Sequence, residues 1–507
     1  MRVLHVGPGF RPWIVHGVVI YAESIMAAQA ASGHEVSYFF PGRHYPGLRG
    51  PRVRRWRRDG VAMRELVNSP LVVGRIHGTA QPDETLDHGP SEAAFARVLA
   101  DVRPEVVHFH DLGGLPSSVV GIAGRSGAAT VMTIHDYFPL CPTVRLHDVD
   151  QNICRRARPG DTCVRCCANA PRDNVEERLM TYWYYRKRLR HGVPGLDALL
   201  RNETAARVNT RLIEAASRIV TAGAGDEAPA PAAPEAAVAP ASVAAYDRRR
   251  AVNVERLGDF DLLLPVSQRA ADIYAGFGVA TERMRTLTIT AEHLEGLRPR
   301  RPWQPSDPVV FATLNGASSR QKGANLLVDA LGALDRVGLS GRYRLKVYGR
   351  VAPDVERPLH DHPDVDVMGD YTSDQLDAIL EGADVGVMPS VWEELYPIVA
   401  LEFMAKGIPL VTSPLGGVTA YIREGEAGWL NQSATGEELS RIVESIVERP
   451  EQIARLAETV RSRREQLIKP MAAHVREVDD IYRELLEGGV TQPGSASGRA
   501  ATAAPRG

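Results

Sequence analysis

Residues 383–412, ADVGVMPSVWEELYPIVALEFMAKGIPLVT, decide the fold of this chain. Ala383–Met388 is a short apolar run typical of a buried strand, Ile398–Lys406 has the apolar spacing of a helix, and Pro409–Thr412 is a second short apolar run. Strand, helix and strand in this order predict two parallel strands joined by a crossover helix. Pro397 stands near the first helical position, where its missing N–H does no harm because the first amides of a helix have no partner within it. The amides that follow are therefore free and face the preceding loop.

The same alternation of short apolar runs and helical patterns extends through the rest of the chain. In the second half, strands are predicted at Val309–Thr313 and Tyr343–Tyr348 and helices at Ala324–Leu334, Ser373–Glu381, Gly436–Glu448 and Pro450–Glu487. In the first half, strands are predicted at Arg2–Val6, Glu35–Phe40, Val106–Phe109, Thr130–Ile134 and Asp261–Val266 and helices at Val18–Ser32 and Gln268–Gly276. The sequence therefore predicts an α/β protein with two Rossmann-like domains, whose ligand crevices face each other across a deep cleft.

Composition shifts divide the chain further. We expect a first domain over 1–290, a second over 305–465 and a closing helix over 466–487. The first domain contains a cysteine-rich loop at 141–167 and an Ala/Pro-rich stretch at 221–245, which we expect to be a flexible insertion. The tail 488–507 is rich in Gly, Ala, Ser and Pro and is expected to be disordered.

Composition argues against a nucleic-acid-binding protein and against a membrane-spanning one. The chain has 507 residues, of which 44% are hydrophobic, and its 60 Lys+Arg nearly balance 62 Asp+Glu. This balance gives no reason to expect nucleic acid as a partner. The N-terminal residues do not resemble a signal peptide and no apolar run approaches the roughly 20 residues of a membrane span, so we expect a cytoplasmic protein.

Polar side chains gather where predicted strands end. His110 and Asp111 follow one strand of the first half, and His135 follows the next. In the second half, Glu394 precedes a helix and Glu402 lies on it, with seven residues between them. Carboxylates at this spacing can accept hydrogen bonds from hydroxyls at two points of one ligand.

The 389–407 stretch resembles the E-x7-E signature of glycosyltransferase family 4, a family of retaining enzymes with the GT-B fold. Similar motifs of that family are matched by GHEV at 33–36, HDYFPLCP at 135–142, QKG at 321–323, VYG at 347–349 and GDYTSDQL at 369–376. The resemblance covers most of the chain outside the insertion and the tail. It implies a GT-B fold in which the C-terminal helix packs back toward the first domain.

The resemblance also implies roles for individual residues. It assigns catalysis to Glu394, His135 and Lys322, with Lys322 neutralising the diphosphate leaving group. It assigns donor binding to Gly17, Arg320, Lys322, Gly349, Tyr371, Glu394, Tyr396 and Glu402. The family usually carries an arginine five residues before this lysine, whereas this chain has Ala317, so Arg320 is expected as its substitute.

The implied activity is transfer of a sugar from a UDP-, GDP- or ADP-sugar to a carbohydrate, lipid-linked or natural-product acceptor, with retention and without a catalytic metal ion. Two alternatives stay open. One is a sugar-phosphate synthase that uses a basic cluster (Arg52, Arg54, Arg55, Arg57 and Arg58) on a phosphorylated acceptor; the same arginines also suit a solvated loop. The other is a non-catalytic protein that binds nucleotide sugars.

Two further features each have two interpretations. Cys141, Cys154, Cys163 and Cys166 include one CxxC step compatible with a structural zinc ion, and the alternative is free thiols. Residues 178–191, RLMTYWYYRKRLRH, suit either peripheral contact with the inner face of a membrane or an ordinary domain helix.

Overall fold

The computed structural model describes residues 1–11, 14, 16–44, 50–69, 77–170, 242–300, 302–305 and 307–488. Two sheets follow each other along the described chain, one of seven strands and one of six. All neighbouring strands in them are parallel except one pair at the edge of the first sheet. Parallel strands place their carboxyl ends along one edge of each sheet, where ligand crevices form.

The first sheet is built from β1 (Arg2–Val6), β2 (Glu35–Pro41), β3 (Arg52–Arg58), β4 (Val61–Val67), β5 (Val106–Phe109), β6 (Ala129–Ile134) and β7 (Leu262–Pro265). Its order is β3-β4-β2-β1-β5-β6-β7, so the chain starts centrally and winds outward in both directions. The described helices of this half are α1 (Gly17–Ala31), α2 (Gly89–Val102), α3 (Val119–Arg125), α4 (Gly160–Cys166), α5 (Val243–Leu257) and α6 (Gln268–Gly276).

The second sheet is built from β8 (Val309–Leu314), β9 (Tyr343–Tyr348), β10 (Val365–Gly369), β11 (Val385–Met388), β12 (Leu410–Thr412) and β13 (Gly428–Leu430), in the order β10-β9-β8-β11-β12-β13. The described helices from Glu292 to the end of this half of the chain are α7 (Glu292–Glu295), α8 (Ala324–Arg336), α9 (Pro353–Asp361), α10 (Leu376–Glu381), α11 (Ile398–Lys406), α12 (Gly436–Glu448), α13 (Glu451–Ser462), α14 (Arg464–Leu467) and α15 (Met471–Glu487). Successive residues of β8 enter different apolar clusters, with Phe311 on one face of the sheet and Ala312 on the other. The sheet is therefore covered on both faces.

The last helix, α15, returns to the first domain. Its apolar residues Met471, Val475, Val478, Ile481 and Tyr482 are part of the core around the first sheet. Its polar residues pair with α1, since the Tyr21 hydroxyl lies 2.8 Å from Nε2 of His474 and Gln29 Nε2 donates to Oδ1 of Asp479 at 3.0 Å. The C-terminal helix packs as the resemblance implied.

Some local predictions differ from the structure. The helix predicted over Pro450–Glu487 is three helices, and the last begins after Pro470, whose missing N–H and ring do not fit a helix interior. The Ala/Pro stretch ends earlier than predicted because α5 begins at Val243, capped by Ser242, whose side chain accepts from the Ala245 amide. The rest of that stretch lies outside the described residues, as does the tail from 489.

The arginine cluster at 52–58 is a strand and not a loop. It forms β3, which pairs antiparallel with β4 at the sheet edge. Separately, none of the helices in the described ranges is both long and apolar enough to cross a membrane.

Candidate active site

The part of the candidate site that belongs to the second domain lies at the carboxyl ends of β8, β9 and β11. The loop after β11 carries Glu394, and the loop after β8 carries Lys322. These two loops touch because a Cβ on Gly323 would lie only 2.1 Å from the carbonyl oxygen of Pro389. The close approach brings side chains 72 positions apart into contact.

Glu394 is buried and accepts three hydrogen bonds through one carboxylate oxygen. Its Oε1 atom accepts hydrogen bonds from Nζ of Lys322, from Oγ of Ser390 at 2.8 Å and from Nε1 of Trp392 at 3.0 Å. Burial is the largest influence and would raise the pKa of Glu394, but the Lys322 charge and these three donors together lower it. The site therefore holds an ionised carboxylate against a cation.

Lys322 ends a short turn that is fixed from both sides. Ser319 caps the turn, since its side chain accepts from the Lys322 amide, and Gly323 leaves it with φ of +92°. The Lys322 ammonium also lies 5.7 Å from the centroid of the Trp392 ring. Its position beside the helix start after β8 suits a group that binds anionic phosphate.

Arg320 does not join this pair. Its Nε atom donates to Oδ2 of Asp354 at 3.0 Å, and both side chains are largely exposed. The structure therefore does not bring Arg320 together with Lys322 and Glu394 as the sequence predicted.

Glu402 lies on α11 and is held through one of its two carboxylate oxygens. Nε2 of His293 donates to Oε1 at 2.8 Å, whereas Oε2 is buried and has no hydrogen-bond partner among the described residues. A buried carboxylate oxygen without a partner is costly unless a ligand satisfies it. This atom is therefore suited to accept from ligand hydroxyls.

Tyr371 and Gly349 lie in the same region. Burial raises the pKa of Tyr371, and the nearby Glu402 charge raises it further. The Tyr371 hydroxyl accepts from Nδ2 of Asn315 at 3.0 Å. Gly349 has φ of +91°, and a Cβ there would lie 2.2 Å from Oδ1 of Asn315, so only glycine leaves room for this amide.

Tyr396 occupies a packing position. It packs against the core of the first domain and against one cluster of the second domain. Its ring lies 5.6 Å from that of Tyr421, and burial raises its pKa to about 12. The structure thus places Tyr396 between the two domains, beside the predicted site.

His135 follows β6 in the first domain and keeps one ring nitrogen unused. Nε2 is buried without a hydrogen-bond partner in the described chain, and the ring lies 4.8 Å from that of Tyr21. Burial, followed by the proximity of His474, lowers the pKa of His135 to about 3. His135 is therefore neutral at physiological pH and able to exchange hydrogen bonds with a ligand.

His108 and His110, which lie near His135, belong to the interior. His108 pairs with the Tyr482 hydroxyl at 2.5 Å and with Oγ1 of Thr133, and His110 pairs with His5. Nitrogen atoms of His5, His108 and His110 lie within 4.8 Å of one another, a spacing that also suits a metal ion. Because hydrogen bonds already occupy both nitrogens of His5 and of His108, we interpret the three rings as a buried hydrogen-bond network.

Gly17 is the first residue of α1. Its missing side chain faces open space, because an added Cβ would meet nothing within 4 Å. Ile20, one turn later, packs against a core cluster of the second domain. The N-terminal end of α1 therefore lies next to the second domain, while residues 12, 13 and 15 of the preceding loop lie outside the described ranges.

The described structure gives no support for a zinc site at the four cysteines. In the described part of the chain, the groups of three or more metal-ligating atoms within 4.8 Å are His5/His108/His110 and Asp335/His362/Asp364, neither of which contains a cysteine. Burial raises the pKa of the Cys166 thiol to about 11 and raises that of Cys163 as well. Protonated thiols pack here as small apolar groups.

His293 and Asn315 belong to the site but were missed by the sequence reasoning. His293 comes from the segment that joins the two domains, 109 positions before Glu402, and no local pattern distinguishes it. Asn315 has φ of +60°, a conformation that asparagine tolerates better than most residues. An asparagine directly after a strand is therefore a weak indication of a turn at the site.

Two facing Rossmann-like domains with polar groups at their strand ends define the GT-B class of fold, which confirms the fold predicted from the sequence. Solved structures agree over nearly the whole chain. Sucrose-phosphate synthase from Thermosynechococcus elongatus covers 96% of this chain and 100% of its own, with 16% identity and a TM-score of 0.57. HepE from Anabaena, solved in complex with UDP, has the same coverage and TM-score at 12% identity.

Sequence comparison finds similarity within the second domain. Residues 308–449 match the family model described as glycosyl transferases group 1, so the expected resemblance is confirmed. A putative colanic acid biosynthesis glycosyltransferase of Salmonella typhimurium is 26% identical over 34% of this chain and 43% of its own length. D-inositol 3-phosphate glycosyltransferase of Pseudarthrobacter chlorophenolicus is 30% identical over 36% and 47%. The chain thus spans less than half the length of these curated relatives.

Proposed function

We propose that this protein is a retaining glycosyltransferase that moves a sugar from a nucleoside-diphosphate sugar to a carbohydrate, lipid-linked or natural-product acceptor. The observation that carries the proposal is the ion pair of Lys322 with the buried Glu394 carboxylate, together with Glu402, whose second carboxylate oxygen has no partner in the described chain. One cation and two carboxylates at a helix start match the needs of a diphosphate, a sugar and a ribose.

Each residue then has a distinct task. Lys322 leaves Glu394 for the diphosphate and stabilises the negative charge that develops as the leaving group departs. Glu394 is then free to accept from sugar hydroxyls, and Oε2 of Glu402 accepts from the ribose. His135, which is neutral, exchanges a hydrogen bond with the sugar from the opposite domain.

The proposed reaction needs no protein nucleophile. The bond between the anomeric carbon and the diphosphate oxygen breaks while the acceptor oxygen bonds to the same carbon on the same face. The acceptor proton passes to the departing phosphate oxygen. The protein contributes positioning and charge, with Lys322 in the place of a divalent cation.

The two alternatives have less support. The arginines of β3 are partly neutralised by their own neighbours, since Arg55 pairs with Asp101 and Arg58 pairs with Glu23. Less of their charge is therefore left for a phosphorylated acceptor. A non-catalytic binding protein would have no need to bury the Glu394 carboxylate against Lys322, because burial of a carboxylate is costly.

The decisive experiment measures nucleoside diphosphate release from UDP-, GDP- and ADP-sugars, with and without extracted acceptors and with and without EDTA. Glu394→Ala and Lys322→Ala should lower release by about 100-fold or more. Arg357→Ala is the matched control, because Arg357 is exposed on α9 and pairs with Asp361. Full activity in both site variants would refute the assignment, and the anomeric configuration of the product tests retention.

Peripheral contact of a cytoplasmic enzyme with the membrane is a separate part of the proposal. It rests on residues 178–191, which lie outside the described residues. Flotation with anionic liposomes tests it, and a protein that stays at the bottom of the gradient would contradict it.

A further inference from the structure

Glu393, the neighbour of Glu394, has a carboxylate that is buried and fully satisfied. Only 1% of its side chain is exposed. Oε1 accepts from Nη2 of Arg155 at 2.6 Å and from Nη2 of Arg269, and Oε2 accepts from Nε of Arg269 at 3.0 Å and from the Gly416 amide at 2.8 Å. The three charged side chains form a triad that crosses from one domain to the other.

Both guanidinium groups of the triad belong to the first domain. Arg269 lies in the first turn of α6, directly after β7. Arg155 lies in the cysteine-rich loop and follows the buried Cys154. The triad therefore joins the acceptor-side domain to the loop that carries Glu394.

Two hydroxyl groups of the first domain hold the same loop by its backbone. The Tyr137 hydroxyl donates to the carbonyl oxygen of Glu393 at 2.9 Å, and Ser267 Oγ donates to that of Leu395 at 2.8 Å. Residues on both sides of Glu394 are thus fixed by the opposite domain, while its own carboxylate reaches Lys322.

The charges make this contact sensitive to its geometry. A carboxylate buried between two guanidinium groups is stable only while both hydrogen-bond to it, because removing one partner leaves a poorly compensated buried charge. Bidentate contact, as made by Arg269, also fixes orientation. Separation of the domains would expose Glu393 and release its neighbour.

We propose that Glu393 is a positioning residue, which clamps the Glu394 loop to the first domain through Arg155 and Arg269. The cysteine-rich loop then has a task, namely to present Arg155 across the cleft. This inference rests on the proposed function of Glu394 and adds the device that holds Glu394 in place when the domains are closed.

The test combines kinetics with a distance that does not depend on turnover. Arg155→Ala, Arg155→Lys, Glu393→Gln and the double variant Arg155→Ala/Glu393→Gln are compared with Arg156→Ala, which removes the adjacent exposed arginine. Spin labels introduced as unnatural amino acids at the exposed Ala96 and Met368 report the separation of the domains by pulsed electron resonance.

For Arg155→Ala and Glu393→Gln we expect kcat/KM for the donor to fall about tenfold, and the distance distribution to shift to longer values. Arg155→Lys should recover part of the loss, and the double variant should be no worse than the poorer single variant, because both changes break one contact. Arg156→Ala should match the wild type.

The proposal is overturned if Arg155→Ala matches Arg156→Ala in both measurements, or if the single effects multiply in the double variant. Failure of the proposed function is seen separately, as a wild type that releases no nucleoside diphosphate from any donor. In that case the distance measurement still decides whether the triad holds the domains together.

Discussion

The Lys322–Glu394 pair shows how one contact prepares a site for an anionic ligand. Glu394 stays ionised in spite of burial because Lys322, Ser390 and Trp392 all donate to the same oxygen. In the proposed function, a diphosphate competes for Lys322 and leaves Glu394 to the sugar. The pair therefore keeps the buried carboxylate ionised and the ammonium oriented before the ligand arrives.

At the same scale, Glu402→Gln should weaken donor binding more than turnover. The substitution keeps the shape of the side chain but replaces the charged Oε2 atom by an amide nitrogen or a neutral carbonyl oxygen. The ribose hydroxyls therefore lose a charged acceptor. We expect KM for the donor to rise about tenfold or more, with kcat within about threefold. Steady-state kinetics measures both constants.

The control for this change is Glu448→Gln at the exposed end of α12, which should leave both constants unaltered. A large fall in kcat with unchanged KM would contradict the assignment of Glu402 to the donor.

Gly349→Ala should destabilise the protein more than Gly369→Ala. Both glycines have positive φ, +91° and +79°, so alanine at either costs about 1–2 kcal/mol. Only at Gly349 does the added Cβ also meet a neighbour, at 2.2 Å from Oδ1 of Asn315, whose amide holds Tyr371. Urea unfolding compares the two free energies directly, and equal losses would show that Asn315 moves aside without cost.

At this scale the sequence predicted the positions of those residues that local spacing places at the edge of the second sheet. The seven residues between Glu394 and Glu402 place one before α11 and one on it, and the loop after β8 places Lys322 at the same sheet edge. The expected role of Arg320 in donor binding stays a prediction, because a three-residue turn does not tell on which side each charge emerges. In the structure Arg320 pairs with Asp354.

At the scale of elements, buried neutral histidines tie α15 to the first domain. Burial is the main cause that lowers the pKa of His5 to about 4 and those of His135 and His474 to about 3, from 6.5. His108 and His110 are shifted in the same direction. Each imidazole is therefore neutral when folded and free to take a proton when the chain unfolds.

This predicts a loss of stability as the pH falls from about 7 to about 4. In that window the unfolded chain binds protons that the folded chain excludes, so each histidine lowers the unfolding free energy by up to about 1.4 kcal/mol per pH unit. His474→Gln can keep the bond to Tyr21 without titrating and should flatten the slope. Thermal midpoints measured at each pH test this, with the exposed His360→Gln as the control.

The elements themselves were largely predictable where their pattern was apolar. β1, β5, β9, α6, α11 and α12 have the predicted bounds. β3 was not predicted, because five arginines in an edge strand carry no apolar alternation. The break before α15 was not predicted, because the amphipathic pattern continues across it. The helix ends there because Pro470 cannot continue a preceding helix.

At the scale of the whole molecule, repeated βα units predicted two facing domains, but not how the domains are joined. The contacts that join them depend on residues far apart in sequence, such as Arg155 with Glu393 and Tyr21 with His474. No local pattern reports such pairs, since each side chain alone is ordinary for a surface loop or a helix.

These contacts predict that the two domains unfold as one unit. α15 follows the second domain in sequence but contributes Met471, Val475 and Tyr482 to the core of the first, and Leu395 from the second domain packs into the same core. Unfolding of the second domain therefore removes contacts from the core of the first. Calorimetry should therefore show one transition. In the proposed function, whichever of UDP, GDP and ADP binds best should raise the midpoint temperature of this transition. At a nucleotide concentration of 100 times Kd, binding adds about 2.7 kcal/mol to the free energy of unfolding.

The same measurement can fail in an informative way. If nucleotide binds only to the second domain and the domains are energetically independent, two transitions appear and only one of them moves with ligand. Lys322→Ala separates the two parts of the prediction, since it should reduce the shift caused by nucleotide while leaving a single transition. A single transition that also shifts fully in Lys322→Ala would place the diphosphate away from Lys322.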